Sequence, residues 1–386
     1  MTPMSFIIPD DVLDAIRSRA HQHDRDNSFP LDDLEDLRAC GYLTAFVPKE
    51  FGGAGLSLSE ICAEQRRLAG AAPGTALGIN MHHIIVGVGR HMMAKGNDRG
   101  ELILRLAAEG AIFGFGISEP ANDLVLFGST TEARPDGEGG YRFYGTKIFT
   151  SLAPVWTHLA TFGRDDSVAE DGPMSVFALI DREDGGFSIR DDWDALGMRA
   201  TQSNTTELDG AHAPASHVLT RVTPGPSFDP VVFGIFANFE LLLAATYSGI
   251  GLRAIDVAIE TVRQRRSVKN ATTYSNDPDI RWRIAEAAVV MDGIAPQIEM
   301  LARQFEEGFD HGKFWLPKLS AVKHRAVEAS RIAVDQAIRA CGGSSYYNTK
   351  ELSRLYRDVL AGIFQPSDAE SLHGAWASVL LGPIEK

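Results

Sequence analysis

Polar and aromatic side chains stand at the ends of predicted strands in the middle of the sequence. Ser118 follows the run FGFGI, Phe149 ends the run YRFYGTKIF, and Ser151 comes two residues later. Hydroxyl groups exchange hydrogen bonds with the polar edge of a ring, and a phenyl group offers it an apolar face. The three residues suit a site for a planar cofactor, although each of them also suits a strand end or a core position.

Two other sets of residues could move protons. His82 and His83 lie in the apolar segment GINMHHIIVG, where an imidazole is either a packed core residue or a group facing a pocket. Glu240 directly precedes the apolar run LLLAA. Its carboxylate is interpreted either as a catalytic base or as a residue near a helix N-terminus that the helix dipole stabilises.

Length and composition limit the class of protein. The 386 residues suit two or three packed domains, and 44% hydrophobic with 23% charged residues is ordinary for a globular protein. A net charge of −14 disfavours a nucleic-acid partner. Cys40, Cys62 and Cys341 are too few for a disulfide framework or a zinc site. Asp10 and Asp11 interrupt the N-terminus before any long apolar run, so we expect a soluble, cytoplasmic protein without a membrane partner.

The hydrophobic pattern changes twice along the chain. Helical spacing from about 9 to 110 predicts an N-terminal helical domain, interrupted by the turn VPKEFGGAGLS, after which Ser57 or Ser59 caps a helix. Short runs separated by DGEGG, DDSVAEDG and REDGG predict seven or eight strands. Three long helical patterns follow, beginning at Glu240, Asp279 and Lys318, and predict a helical bundle.

These elements predict an α+β fold with three domains. We assign residues 1–111 to the N-terminal helical domain, 112–222 to a middle β-barrel or sandwich, and 223–386 to a C-terminal four-helix bundle. The order helices, strands, helices is uncommon, because most mixed folds alternate their elements or segregate them once.

Five motifs, in order, resemble those of the acyl-CoA dehydrogenase superfamily. They are VPKEFGGAGLS within 37–69, SEP at 118–120, GTKIFTS at 145–151, LGMRAT at 196–201, and GG at 342–343 followed by RLYRD at 354–358. The resemblance covers nearly the whole chain. It implies FAD as cofactor and an assembly of two or four copies of the chain.

The resemblance also implies roles for individual residues. Ser118 would contact the pyrimidine edge of the flavin, Phe149 would pack on its ring, and Ser151 would bond near N5 or O4. The helix that carries His82 and His83 has a family counterpart that borders the acyl pocket.

The resemblance also implies a second group of residues, which would bind the adenosine end of FAD. Arg265 or Arg266 would reach the FAD diphosphate of a neighbouring subunit, and Gly342 and Gly343 would allow the adenine half to approach. Each also has a plainer interpretation, because cations favour helix C-termini and glycine is a common helix C-cap. The sequence RRSVKNA lacks the Phe-Gly pair that follows the family's arginine.

The chain departs from the family at the catalytic base. Most dehydrogenases have a glutamate eight residues after the aspartate of the R-D motif, and here that position is Pro366. Glu240 lies one residue from the place where a minority of members have their base, and it is therefore the candidate catalytic residue. Asp368, Glu370 and His373 are the other ionisable residues nearby.

Three functions remain open on this evidence. We expect first an FAD-dependent dehydrogenase of an acyl-CoA or acyl-carrier thioester, with an electron-transfer flavoprotein as acceptor. The missing glutamate favours, as an alternative, a monooxygenase or oxidase of the same fold that receives reduced flavin from a reductase. The third possibility is a non-catalytic subunit that keeps the fold without the chemistry.

Overall fold

The computed structural model describes residues 6–167 and 172–384, and its first region is helical as predicted. Its helices are α1 (Asp10–Asp26), α2 (Leu31–Ala39), α3 (Leu58–Ala71), α4 (Pro73–Ala94) and α5 (Gly100–Ala108). Of the two predicted caps for α3, Ser57 is the one used. Its hydroxyl accepts the Glu60 N–H, and the Glu60 carboxylate accepts the Ser57 N–H in return.

The middle region forms one eight-stranded sheet among the described residues, in agreement with the predicted number of strands. The strands are β1 (Phe113–Gly116), β2 (Glu132–Pro135), β3 (Tyr141–Lys147), β4 (His158–Asp165), β5 (Met174–Asp181), β6 (Phe187–Ile189), β7 (Thr206–Ala213) and β8 (Val218–Val222). Their order is β6-β7-β3-β2-β4-β5-β8, with β1 pairing in parallel with β4. The predicted turn DDSVAEDG includes residues 168–171, which lie outside the described residues.

The C-terminal region is a helical bundle with a short hairpin. Its elements are α6 (Pro230–Gln264), β9 (Arg266–Ser267), β10 (Thr272–Thr273), α7 (Pro278–Asp292), α8 (Ile294–Glu306), α9 (Trp315–Cys341), α10 (Glu351–Leu360) and α11 (Ala369–Leu381). The helix α6 begins ten residues before the predicted start, because Asp229 caps it by accepting the Val231 N–H and Pro230 suits the first helical position.

The second predicted helix of the bundle is in fact two helices. α7 ends at Asp292 and α8 begins at Ile294. Pro296 has no N–H to donate to the carbonyl of Asp292, and Gly293 is a weak helix former, so the continuous apolar pattern does not give a continuous helix.

The long helix α6 is the centre of the bundle. Among the described residues it is the one helix long and apolar enough to cross a membrane, and 89% of its apolar window is buried inside the protein. Its glycines permit this burial. A Cβ atom on Gly249 would lie 2.2 Å from the carbonyl oxygen of Arg66 on α3, so only glycine allows the two helices to approach this closely.

Candidate functional site

The structure brings Ser118 and Phe149 together at the ends of neighbouring segments. The Ile148 N–H donates to the Ser118 carbonyl at 2.9 Å. The Phe149 side chain is 61% exposed, and its φ of 57° lies in the left-handed region that bulky residues rarely adopt. An aromatic ring held outward by a strained backbone is typical of a ligand site.

Ser151 lies in the same loop but faces inward. It is only 5% exposed, and its hydroxyl is hydrogen-bonded to the Ser203 hydroxyl at 2.7 Å. The Ser203 hydroxyl in turn pairs with that of Thr201 at 2.7 Å. The expected contact between Ser151 and a flavin stays a prediction, and it would require this chain of hydroxyl groups to rearrange.

A buried ion pair fixes both segments of this site. Lys147 Nζ donates to Glu119 Oε1 at 2.5 Å and to the Phe162 carbonyl at 2.8 Å, and neither charged side chain is exposed. The Glu119 carboxylate also accepts hydrogen bonds from Ser129 and Thr130. Burial alone would raise the pKa of Glu119, but the Lys147 charge and the hydrogen bonds outweigh it and hold that pKa at about 2.

The LGMRAT and RLYRD motifs meet at a joint between the three domains. The Met198 N–H donates to Asp358 Oδ1 at 2.7 Å, and Arg357 Nη1 donates to the Leu196 carbonyl at 2.9 Å. The same Arg357 forms a bidentate ion pair with Asp24 on α1. These motif residues therefore hold the domains together, a role that their sequence pattern does not reveal.

Asp358 makes this joint sensitive to pH. Burial raises the pKa of Asp358 to about 6, against the opposing effect of Arg354. Because the folded state keeps this proton while the unfolded state releases it, the stabilising contribution is complete below about pH 4 and is lost as the pH rises to 6. We expect the unfolding free energy of the wild type, relative to Asp358→Asn, to fall by about 2 kcal/mol between pH 4 and 7. Denaturation curves at several pH values measure this, and parallel curves for the two proteins would contradict it.

Glu240 is brought against the segment where the family has its base. Its Oε1 accepts the Ser367 N–H at 3.0 Å and the Ser367 hydroxyl at 2.6 Å. The side chain is 1% exposed, and Oε2 has no hydrogen-bond partner among the described residues. Burial raises the pKa of Glu240, while Lys323 and the bonds from Ser367 oppose that rise.

Lys323 on α9 holds the same segment from inside the bundle. Its ammonium group donates to three backbone carbonyls, those of Gly362, Gln365 and Ser367, at 2.7, 2.5 and 3.1 Å. Burial lowers the pKa of Lys323 to about 8. The segment carrying Pro366 is thus fixed by a buried cation, with Glu240 on the α6 side.

Aromatic rings connect α6 to the β-domain within one helical turn of Glu240. Phe239 stacks on Phe115 at a centroid distance of 5.7 Å, and Phe236 stacks on Phe127 at 6.3 Å. Phe236 and Glu240 are four residues apart and so lie on the same side of the helix. We call these four phenylalanines, 115, 127, 236 and 239, the aromatic wall. The sequence analysis missed it because its members are far apart in the chain.

The structure places His82 and His83, the residues expected beside a substrate pocket, inside the N-terminal core, and their role at a pocket stays a prediction. Both rings are completely buried in the N-terminal core. His82 Nε2 pairs with the Leu43 carbonyl at 2.8 Å, and His82 Nδ1 accepts the Phe113 N–H at 3.3 Å. His83 packs edge-on against Tyr42. Burial lowers the pKa of both imidazoles, so they are neutral core residues.

The residues expected at the adenosine end are only partly brought together. Arg265 donates to the Cys341 carbonyl and stands over the Tyr274 ring at 4.8 Å, next to Gly342. Gly342 ends α9 with a φ of 74°, so the helix-cap interpretation holds for it. Arg266 is exposed and donates to Ala271 within its own hairpin. Binding of a diphosphate by either arginine, and a role for Gly343, stay predictions.

Three domain families match the chain in the order of its three regions. Residues 12–99 match the acyl-CoA dehydrogenase N-terminal domain, 114–211 the middle domain, and 241–364 the C-terminal domain. The chain belongs to the acyl-CoA dehydrogenase family. The fold expected from the motifs is therefore confirmed.

The relatives of this chain include a nitrososynthase and a monooxygenase. The amino sugar nitrososynthase RubN8 of Streptomyces rubradiris is 28% identical over 91% of this chain and 83% of its own length. A dibenzothiophene monooxygenase of Rhodococcus erythropolis is 26% identical over 89% of this chain and 85% of its own. The solved structure of KijD3 with FMN and dTDP-3-amino-2,3,6-trideoxy-4-keto-3-methyl-D-glucose has a TM-score of 0.85 and 28% identity, covering 98% of this chain and 92% of that one. This acyl-CoA dehydrogenase family member is thus a flavin-dependent oxidoreductase whose reaction type is open.

Proposed function

We propose that the protein is a flavin-dependent monooxygenase that uses reduced flavin and molecular oxygen to oxygenate a heteroatom of a small molecule. The observation that carries the proposal is the segment around Pro366. Proline cannot accept a proton, and the neighbouring Ser367 uses its N–H and hydroxyl to bind Glu240. The usual base of the dehydrogenases is therefore replaced by a fixed polar contact. The names of RubN8 and of the dibenzothiophene monooxygenase support the same reaction class.

The packing of α4 against α6 argues against a long acyl chain. A Cβ atom on Gly87 would lie 2.1 Å from Asn238 Oδ1, so the two helices touch at this point. In the family the counterpart of α4 borders the acyl pocket. A fatty acyl chain could not pass between α4 and α6 at this point, which limits the room for the acyl-thioester substrate that we first expected.

The residues around Ser118 and Phe149 fit a flavin. The exposed Phe149 ring offers an apolar face, and the half-buried Ser118 offers hydrogen-bonding groups beside it. When bound, the flavin supplies two electrons to oxygen. We propose FMN instead of the FAD that we first predicted, because KijD3 is described with FMN and because Arg265 is already engaged with Cys341 and Tyr274.

The proposed reaction also changes the expected partners. A flavin reductase would supply reduced FMN, in place of an electron-transfer flavoprotein that accepts electrons. We further propose that the protein works in the cytoplasm as a homo-oligomer of two or four copies. Large apolar side chains on the bundle surface support this assembly; they include Tyr346, Tyr347, Phe364 and Leu381, with exposed fractions of 92%, 68%, 79% and 86%.

An assay with a separate flavin reductase tests the proposed function. Purified protein, FMN, NADH and the reductase are incubated in air with a panel of amines and organosulfur compounds. We expect oxygen consumption that is coupled to an oxygenated product. If every compound gives only hydrogen peroxide, the proposal is wrong. Anaerobic bleaching of the bound flavin by an acyl-CoA would instead support the dehydrogenase, and failure to retain any flavin would support the non-catalytic subunit.

A further inference from the structure

Glu240 presents a buried carboxylate one helical turn after Phe236 of the aromatic wall, and none of the described residues donates to its second oxygen. We propose that the substrate carries a primary amine, and that Glu240 binds the ammonium form and accepts its proton. This inference rests on the proposed monooxygenase function and names its substrate class.

The two oxygens of the Glu240 carboxylate have different surroundings. Oε1 is fixed by two donors from Ser367, whereas Oε2 has no donor among residues 6–167 and 172–384. A buried carboxylate oxygen without a donor costs free energy, so a ligand that provides a donor is favoured at this position. An ammonium group provides up to three donors together with the opposite charge.

The aromatic wall suits the rest of such a substrate. Phe236 lies one turn before Glu240 on the same side of α6, whereas Phe239 lies about 100° away around the helix; both are partly exposed. Phe115 and Phe127 continue the same surface from the β-domain. The faces of aromatic rings attract cations, and they pack well against an organic skeleton. A carboxylate one helical turn from an aromatic ring thus suits an organic amine.

Proton removal is required for oxygenation at nitrogen. An ammonium ion has no lone pair, so R-NH3+ first gives its proton to Glu240, which has to be ionised beforehand. The free amine is then hydroxylated, with the overall reaction R-NH2 + O2 + FMNH2 → R-NHOH + H2O + FMN. One oxygen atom forms the new N–O bond, the other leaves as water, and the reduced flavin supplies both electrons. The proton on Glu240 finally returns to solvent.

The charges around Glu240 are compatible with this role. Lys323 on α9 is the nearest cation, and it is itself faced by Asp368 and Glu328. Its ammonium protons are committed to three carbonyl groups, so Lys323 does not occupy Oε2. Burial raises the pKa of Glu240, which brings its proton affinity closer to that of an amine.

The variant Glu240→Gln tests the proposal, with Glu260→Gln as control because Glu260 is exposed on the same helix. Flavin-free protein is titrated with benzylamine and with the amino sugar nucleotide named for KijD3, and with alcohols that replace each amine by hydroxyl. We expect Glu240→Gln to bind the amines at least about tenfold more weakly and the alcohols unchanged. For an amine that the wild type oxygenates, kcat/KM should fall about 100-fold at pH 7. Because the free amine becomes abundant at higher pH, this loss should shrink towards pH 9.

Each alternative outcome is informative. Equal amine binding and an equal pH profile in Glu240→Gln and wild type would overturn the inference. Oxygenation of sulfur compounds but of no amine would also overturn the inference, while leaving the proposed monooxygenase function intact. If no compound is oxygenated, both the inference and the proposed function are wrong. Melting curves check that the variant folds. If Glu240→Gln does not fold, the variant Glu240→Asp is used instead, because it keeps the carboxylate. The Glu240→Asp protein must still bind amines more tightly than alcohols for the inference to stand.

Discussion

Replacing Glu119 by glutamine is expected to lower the free energy of unfolding by about 3–5 kcal/mol. The change leaves the Lys147 charge buried with only the Phe162 carbonyl as a strong acceptor, because the compensating carboxylate is gone. Both residues adjoin the proposed flavin site, so weaker flavin retention should accompany the loss. Chemical denaturation followed by tryptophan fluorescence and by circular dichroism measures the change, since two probes show whether the domains unfold together.

A matched control comes from the neighbouring strand. Glu132 pairs with Arg134 at 2.6 Å, but both side chains are more than half exposed. Surface ion pairs contribute little, so Glu132→Gln should have nearly the wild-type denaturation curve. The double variant Glu119→Gln with Lys147→Met should recover part of the loss, because it removes the uncompensated charge. A Glu119→Gln protein as stable as the control would contradict the importance of the buried pair.

Replacing Lys323 by methionine is the second change with a large expected effect. Methionine has a similar length but cannot donate, so three buried carbonyl groups lose their donor and Glu240 loses its nearest cation. We expect a loss of about 3–5 kcal/mol in unfolding free energy. The same methods used for Glu119 measure it.

The effect of Lys323→Met should also reach the proposed active site around Glu240. Residues 362–367 would no longer be held in place, so turnover should decrease in the fraction that remains folded. Lys313→Met is the control, because Lys313 is exposed just before α9 and donates to the single carbonyl of Val379. Wild-type stability in Lys323→Met would show that the segment is held by other contacts.

Local pattern was enough to predict the order of the regions and the family. Helical spacing, strand alternation and the five motifs depend on neighbouring residues, and the structure agrees with them in its helices, its eight described strands and its bundle. The exceptions have local causes of their own. The break between α7 and α8 follows from Gly293 and Pro296, and the early start of α6 follows from the Asp229 cap.

The site was less predictable because its residues are distant in sequence. Glu240 and Ser367 are 127 residues apart, so their contact appears only when α6 and the segment before α11 pack together. The aromatic wall combines two β-domain residues with two from α6. The helical pattern around His82 and His83 could not show which face points to the core, and both residues proved to be buried.

Motif residues also proved to have roles that the resemblance did not give. Glu119 and Lys147 belong to two flavin-site motifs, yet they pair with each other in the interior. Arg357 and Asp358 join the bundle to the other domains. A motif shows which positions correspond to the family's residues. The hydrogen-bond partners and the burial of each residue show what that residue does.

Isotope labelling with oxygen gas tests the central claim most directly. The protein is supplied with reduced FMN by a reductase under 18O2, and the product from an amine or an organosulfur compound is analysed by mass spectrometry. A monooxygenase of the proposed type places one 18O atom in the product, and the other appears in water. A product without 18O, combined with anaerobic bleaching of the flavin by an acyl-CoA, would contradict the account and establish a dehydrogenase.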